Sequence, residues 1–156
     1  MLPKKAPRMF SLKRGHESDH RLFTTFVNQL YTEDHRSTLS ANGCQKTLKE
    51  FDRSPNKGRV YFIQREDKTI GYIVLVPFWA NEYGGNIVSI DELFVIPDYR
   101  NQGIGTQVIE HIQQKRYWNA VGLYLVTSPD NHRAQQLYQK LGFKHYEDKA
   151  FIYEYK

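Results

Sequence analysis

Residues 94–106 read FVIPDYRNQGIGT, with Gly103 and Gly105 one residue apart, Arg100 three places ahead of them, a strand-like run before and a helix-like run after. No other stretch constrains the fold as much. A strand that passes through glycines into a helix lays that helix across a sheet, and the strand after the helix then runs parallel to the first. Glycine lacks the Cβ that would hold a ligand away from the backbone. The unpaired N–H groups and partial positive charge of a helix's first turn suit a phosphate. Two other glycine-rich phosphate loops fail to match. No G-x-x-x-x-G-K-[S/T] occurs, and a dinucleotide fingerprint needs a third glycine where Val108 stands. What remains is R-x-x-G-x-G, with Thr106 able to add a hydroxyl.

The surrounding pattern supplies the rest of the sheet. Phe10 and Leu12 alternate with polar neighbours as a short first strand. Leu22, Phe23, Phe26, Val27 and Leu30 recur at helical spacing over residues 17–31, with Ser18 and Asp19 as capping candidates. A polar stretch leads to a weaker helix at residues 44–51. Residues 59–65 and 69–79 read as strands joined by a hairpin-like connection, and residues 86–96 as a third long strand. Residues 121–127 form a buried-looking strand. Ala134, Leu137, Tyr138 and Leu141 then share one helix face, which Gly142 ends. Residues 143–155 are expected to close the chain as a hairpin. The fold class is α/β with a mixed, partly parallel sheet.

At 156 residues the chain is long enough to bury one substantial core, so residues 9–156 are expected to form a single domain behind a loose basic tail at residues 1–8. That tail has no apolar run behind it, and the apolar stretch at residues 70–80 is too short to span a bilayer. A soluble cytoplasmic protein with no membrane partner is the expectation. A single cysteine, Cys44, leaves no internal disulfide; it lies away from every motif and reads as structural. The net charge of +5 is spread along the chain, with no zinc spacing or RNA motif, so no nucleic-acid partner is expected. The six histidines are scattered and no metal site is expected.

Two motifs together carry a family resemblance. IDELFVIPDYRNQGIGTQVIEHI resembles the acetyl-CoA-binding motif of the GNAT superfamily of N-acyltransferases. SPDNHRAQQLYQKLGF is similar to that superfamily's second signature. The resemblance implies a GNAT-like fold, a seven-stranded mixed sheet flanked by about four helices, and acetyl-CoA as acyl donor. It implies a pyrophosphate on the amides of Asn101, Gln102, Gly103, Ile104, Gly105 and Thr106, with Arg100 beside them. It implies a pantetheine arm paired with Leu93, Phe94 and Val95 as an added strand, in the gap where that strand and residues 121–127 splay apart. Asn131 matches the asparagine that contacts the cofactor arm, and Tyr138 the tyrosine whose hydroxyl points at the sulfur. A homodimer is compatible with it.

Acyl transfer to an amine needs a neutral amine, a stabilised oxyanion and a protonated leaving thiolate. A phenol matches a thiol in acidity, so Tyr138 is the candidate acid. Asp91 and Glu92 are consecutive acids in an apolar strand, where a period of two sends them to opposite faces. Glu92 is the preferred base for its longer reach, directly or through water; Asp91 is the second choice and can instead hold a cationic acceptor. Val126 stands where some relatives carry a glutamate. The oxyanion donor is expected to be a backbone amide near Val95.

The acceptor site in this fold is expected between the first two helices, their joining loop and the break at residues 78–85. These offer Glu33, Asp34, His35, Glu82 and Tyr83. Acids there favour a small cationic amine, polyamine-like or an amino acid. A protein N-terminus or lysine and an aminoglycoside remain alternatives, as does a non-catalytic acyl-CoA sensor on the same fold.

Overall fold

Four strands run antiparallel in chain order: β1 (Ser11–Arg14), β2 (Arg59–Arg65), β3 (Lys68–Ala80) and β4 (Gly85–Val95). A short fifth, β5 (Gly122–Tyr124), lies parallel to β4. Helices α1 (His20–Glu33) and α2 (Ala41–Arg53) connect β1 to β2, α3 (Ile104–Lys115) connects β4 to β5, and α4 (His132–Lys140) follows. The computed structural model describes residues 9–156, so the basic tail expected at residues 1–8 lies outside the described residues. The chain divides between Val126 and Thr127 into two units.

In the first unit β3 is buried on both faces, which is why it reads as a nearly continuous apolar run. Ile70, Tyr72, Ile73, Val74 and Leu75 are all buried. Alternation sends Tyr72 and Val74 into a cluster with Phe23, Phe26 and Val27 of α1 and Cys44 and Leu48 of α2. Ile73 and Leu75 point the other way, leaving α3 to cover that face with Ile104, Val108, Ile109 and Ile112. The β4–α3–β5 crossover is the parallel unit that the glycine junction predicts.

Local signals set the helix starts. α1 begins at His20 after a single 3₁₀ turn, Glu17–Asp19, whose entry is tied down because the Asp19 carboxylate accepts from the His16 amide at 2.9 Å. α2 starts three residues earlier than periodicity suggests because Ser40 caps it, accepting from the Gly43 amide at 3.3 Å. Asn28 on α1 fastens the loop between them. Its side chain donates to the Leu39 carbonyl at 3.0 Å and accepts from the Leu39 amide at 2.8 Å.

The second unit holds α4 with a two-bond C-terminal stop. The Gly142 amide donates to the Gln139 carbonyl and the Phe143 amide to the Tyr138 carbonyl, both at 3.0 Å, with Gly142 in the left-handed region at φ 88°. Residues 143–156 contain no strand. The sheet of the described residues therefore has five strands and not seven, and the expected closing hairpin is absent. Two features explain it. Residues 144–156 contain no Gly, Asn or Pro to make a tight hairpin turn, and Ala150, Phe151 and Ile152 break the apolar/polar alternation.

Candidate functional site

β4 pairs with β3 from Gly85 opposite Ala80 to Val95 opposite Gly71, with one irregularity: Val74 faces Glu92 while Leu75 faces Ile90. Asp91 is therefore an extra residue, a β-bulge, and it suspends the alternation that would send Asp91 and Glu92 to opposite faces. Both line one cavity of about 440 Å³. The expectation that only one acid could face this side is corrected by the bulge, which no glycine or proline announces. On its other edge β4 pairs with β5 only at Ile87, Val88 and Ser89. Beyond Ser89 the two strands part, leaving residues 90–95 without a strand on that side among the described residues.

The cavity has the sheet as floor, through Val74, Asp91 and Glu92, and a helix on either side. α1 contributes Phe23, Val27 and Tyr31, one stripe at four-residue spacing. α2 contributes Cys44, Thr47 and Phe51, with Lys46 and Glu50 beside them, and the fastened Leu39 comes from the loop. Burial pushes the Glu92 carboxyl above the ordinary glutamate range; Asp91 and Asp34 push the same way, while the Tyr31 hydroxyl and Arg36 oppose them. Glu92 Oε2 is buried and has no hydrogen-bond partner. Burial, the charge of Glu92 and the hydrogen bond to it raise Tyr31 to about 12, so this phenol stays a donor. A carboxyl raised by burial in a concave site is a better proton acceptor than an exposed one and a candidate general base.

The neighbours of this cavity differ from expectation in instructive ways. Cys44 is not remote: its thiol lies on the cavity wall, 1% exposed and pushed up by burial. Asp34 does not line the cavity; it accepts from Arg36 at 2.7 Å, and that guanidinium lies 4.0 Å from the Tyr31 ring centre. Glu82 and Tyr83 sit in the exposed β3–β4 turn. Gly85 is six residues before Asp91, so the turn is roughly 20 Å away along β4 at about 3.3 Å per residue. Tyr31, Arg36 and Cys44 were missed because helical periodicity alone marks Tyr31 and Cys44 as core and Arg36 as solvated loop.

Beyond β4, a 3₁₀ turn at Pro97–Tyr99 leads through Asn101 and Gly103, at φ 61° and 78°, into α3. Gly103 is the N-cap and offers no side chain to the first amides, so those at the start of α3 remain for a ligand. The left-handed backbone explains Gly103. It does not explain Gly105, where an added Cβ would meet nothing within 4 Å, so the space in front of it is open. Gln102 is held on both ends of its amide, accepting from Arg65 at 2.6 Å and donating to the Asp98 carbonyl at 3.1 Å. The Arg100 side chain does not reach toward this loop. Its Nε donates to the Val95 carbonyl at 2.7 Å and its Nη2 to the Glu33 carboxylate at 2.8 Å.

In the second unit, Asn131 caps α4, its side-chain oxygen accepting from the Ala134 amide at 3.1 Å. Tyr138 occupies the last turn, its ring 5.9 Å from that of Phe143. The carbonyl of the same Tyr138 takes the Phe143 amide, so the Leu-Gly-Phe sequence after the helix fixes the tyrosine. Burial raises the Tyr138 phenol, keeping its proton in place. Among the described residues there is no group of three or more His, Cys, Asp or Glu able to hold a metal, and no helix long and apolar enough to cross a membrane.

Comparison with known proteins gives a consistent result. The family model described as the acetyltransferase (GNAT) family matches residues 24–143. The chain is 28% identical over 145 residues to the N-acetyltransferase YhfO of Bacillus subtilis (strain 168), covering 92% of this chain and 94% of the relative. It is 27% identical over 139 residues to the peptidyl-lysine N-acetyltransferase YjaB of Salmonella typhimurium (strain LT2), covering 87% and 84% of the two chains. A solved structure of a possible acetyltransferase from Clostridium difficile 630 superposes with a TM-score of 0.76 at 23% identity, over 95% of this chain and 97% of that one. At that identity the likeness shows the fold.

Proposed function

The chain belongs to the acetyltransferase (GNAT) family of acetyl-CoA-dependent N-acyltransferases, and from that premise we propose that it moves acetyl from acetyl-CoA to the primary amine of a small cationic acceptor. The observation that carries this reading is the bulge that turns both Asp91 and Glu92 toward one cavity, with Glu92 raised by burial. Residues 9–156 are read as one acetyltransferase domain, which the match over residues 24–143 supports.

The amides of Asn101 to Thr106 take the pyrophosphate, with Gly105 leaving room for it. The unpaired edge of β4 at Leu93, Phe94 and Val95 takes the pantetheine arm as an added strand. Glu92 removes a proton from the acceptor ammonium, directly or through water, and Asp91 keeps the cation in place. The neutral nitrogen attacks the thioester carbonyl, a backbone amide near Val95 faces the developing oxyanion, and the C–S bond breaks. Tyr138 gives its proton to the departing thiolate and recovers one, through solvent, from the acylated nitrogen as the neutral amide forms. Asn131 supports the cofactor arm from the head of α4. Arg100 and Glu33, engaged with each other, serve as a strut in this reading and make no ligand contact.

Transfer to a protein lysine is a second reading, supported by the Salmonella relative's name. The test of the main reading is thiol release from acetyl-CoA across an amine panel, with calorimetry of CoA binding. Binding without release for every amine would leave a sensor on this fold. Absence of binding at submillimolar CoA would remove the cofactor site.

A further inference from the structure

The walls of the cavity say more about the acceptor than its charge. The α1 stripe, Phe23, Val27 and Tyr31, carries no ionised group, since the Tyr31 phenol is raised to about 12. Leu39 and Phe51 continue the apolar surface across the loop and α2. The remaining wall charges leave nothing for a second cation. Glu50 is already ion-paired with Lys57 at 2.7 Å, and Lys46 is itself a cation. The acids free to meet an ammonium are the two on the floor.

Two orphaned polar atoms lie in this part of the first unit, and one of them is on the cavity floor. Glu92 Oε2 is buried without a partner, and so is the hydroxyl of Tyr72, a residue 0% exposed. Buried phenols and carboxylates are rarely left unsatisfied. Tyr72 lies two residues before Val74 on the same face of β3, packs its ring at 5.2 Å against that of Phe23, and has Glu92, Tyr31 and Cys44 as electrostatic neighbours. Glu92 belongs to the cavity floor, whereas Tyr72 does not line the cavity and sits in the packed cluster with Phe23 and Val74. A primary ammonium with three N–H donors supplies what Glu92 Oε2 lacks.

We infer that the cavity takes a primary amine carried on an uncharged hydrocarbon stem, nitrogen at Asp91 and Glu92 and stem between α1 and α2, and that it disfavours acceptors bearing a second ammonium. This rests on the acetyltransferase reading and narrows it. A second ammonium would be desolvated against apolar walls, or set beside the Lys46 cation, without a partner of its own. A hydrocarbon stem loses nothing there and gains contact with Phe23, Val27 and Phe51. The volume of about 440 Å³ falls within the usual range of small-ligand pockets. The same chemistry is available from a free alkyl or arylalkyl amine and from a lysine side chain.

The experiment compares kcat/KM for thiol release from acetyl-CoA with three probes: phenethylamine, Nα-acetyl-lysine N-methylamide and 1,5-diaminopentane. One of the first two is expected to exceed the third by at least about tenfold; which of them leads tells a free amine from a lysine side chain. Diaminopentane equal to or better than both would overturn the inference. Lys46→Glu adds an acid to the wall and is expected to raise the diaminopentane-to-phenethylamine ratio severalfold; an unchanged ratio counts against the assigned stem position. Should no amine release thiol, acetyl transfer fails as a reading, and calorimetry of phenethylamine against diaminopentane on the free protein still decides which stem the cavity accepts.

Discussion

Arg100 and Glu33 hold each other: Nη2 of the arginine lies 2.8 and 2.9 Å from the two carboxylate oxygens, while its Nε donates to the Val95 carbonyl at 2.7 Å. One guanidinium thus ties the C-terminal end of α1 to the C-terminal end of β4, with the Phe94 ring 5.5 Å from its Cζ. The pair is more than one-third exposed on both sides, which limits its worth. Arg100→Ala is expected to cost about 1 kcal/mol in urea unfolding. A double-mutant cycle with Glu33→Gln should return a coupling of about 0.2–1 kcal/mol. Acetyl-CoA affinity falling tenfold or more in Arg100→Ala, with stability unchanged, would show that the side chain serves the phosphates and not the strut.

The two glycines of the loop should separate by experiment. Gly103 has φ 78°, so Gly103→Ala strains the backbone and is expected to lower stability by roughly 1–2 kcal/mol. Gly105 is inside α3 with open space before it, so Gly105→Ala is expected to be neutral or to stabilise by up to about 1 kcal/mol. Its effect should appear in calorimetry as weakened acetyl-CoA binding. Unchanged affinity in Gly105→Ala would mean that the open space is not where the pyrophosphate lies.

For Glu92 the sign of the pH effect follows from its raised pKa. The folded protein keeps this proton at pH values where the unfolded chain has lost it. Wild-type stability contributed by this group therefore falls as pH rises from the ordinary glutamate value of 4.5 to the folded value, and is constant above it. Glu92→Gln has no such loss. Its melting temperature should match or exceed that of wild type, by a margin that widens across this window. Turnover should drop by about 10²–10⁴-fold and recover as pH approaches the acceptor's own pKa. A variant that melts lower at every pH would show Glu92 to be a structural acid.

Tyr138→Phe makes the opposite prediction. The ring stays against Phe143, 5.9 Å away, and the carbonyl still accepts the Phe143 amide, so stability and acetyl-CoA affinity should hold. Turnover should fall by roughly ten- to a thousandfold, with no rescue at high pH because alkali supplies no proton. Matching pH profiles in Tyr138→Phe and Glu92→Gln would overturn the division of roles between them.

What could be read from the sequence was whatever depends on local pattern. The glycine junction predicts α3 and its parallel crossover, the run at residues 59–65 coincides with β2, and Gly142 ends α4. Pairing register is another matter. The bulge at Asp91 is a relation between β4 and β3 that leaves no mark on β4 alone, so alternation put its acids on opposite faces. Cys44 and Tyr31 look like core at helical spacing, and only the opposing helix turns that core surface into a cavity wall. Glu33 and Arg100, sixty-seven residues apart, were assigned to two different ligands because nothing local pairs them.

The bulge has a consequence at the level of single codons. With Asp91 extra, Ile90 faces Leu75 and Glu92 faces Val74, which are consecutive on the partner strand. Deleting Asp91 would leave an unbroken ladder with every other β4 residue opposite its present neighbour. Both halves of the strand are in phase without it, so an in-frame loss of three nucleotides removes one of the two cavity acids yet leaves Glu92 opposite Val74 and the sheet correctly paired. In this chain the pairing of β4 and the number of acids on its cavity face are separable at one position, so an indel there could change the cavity's charge without passing through an unfolded ancestor.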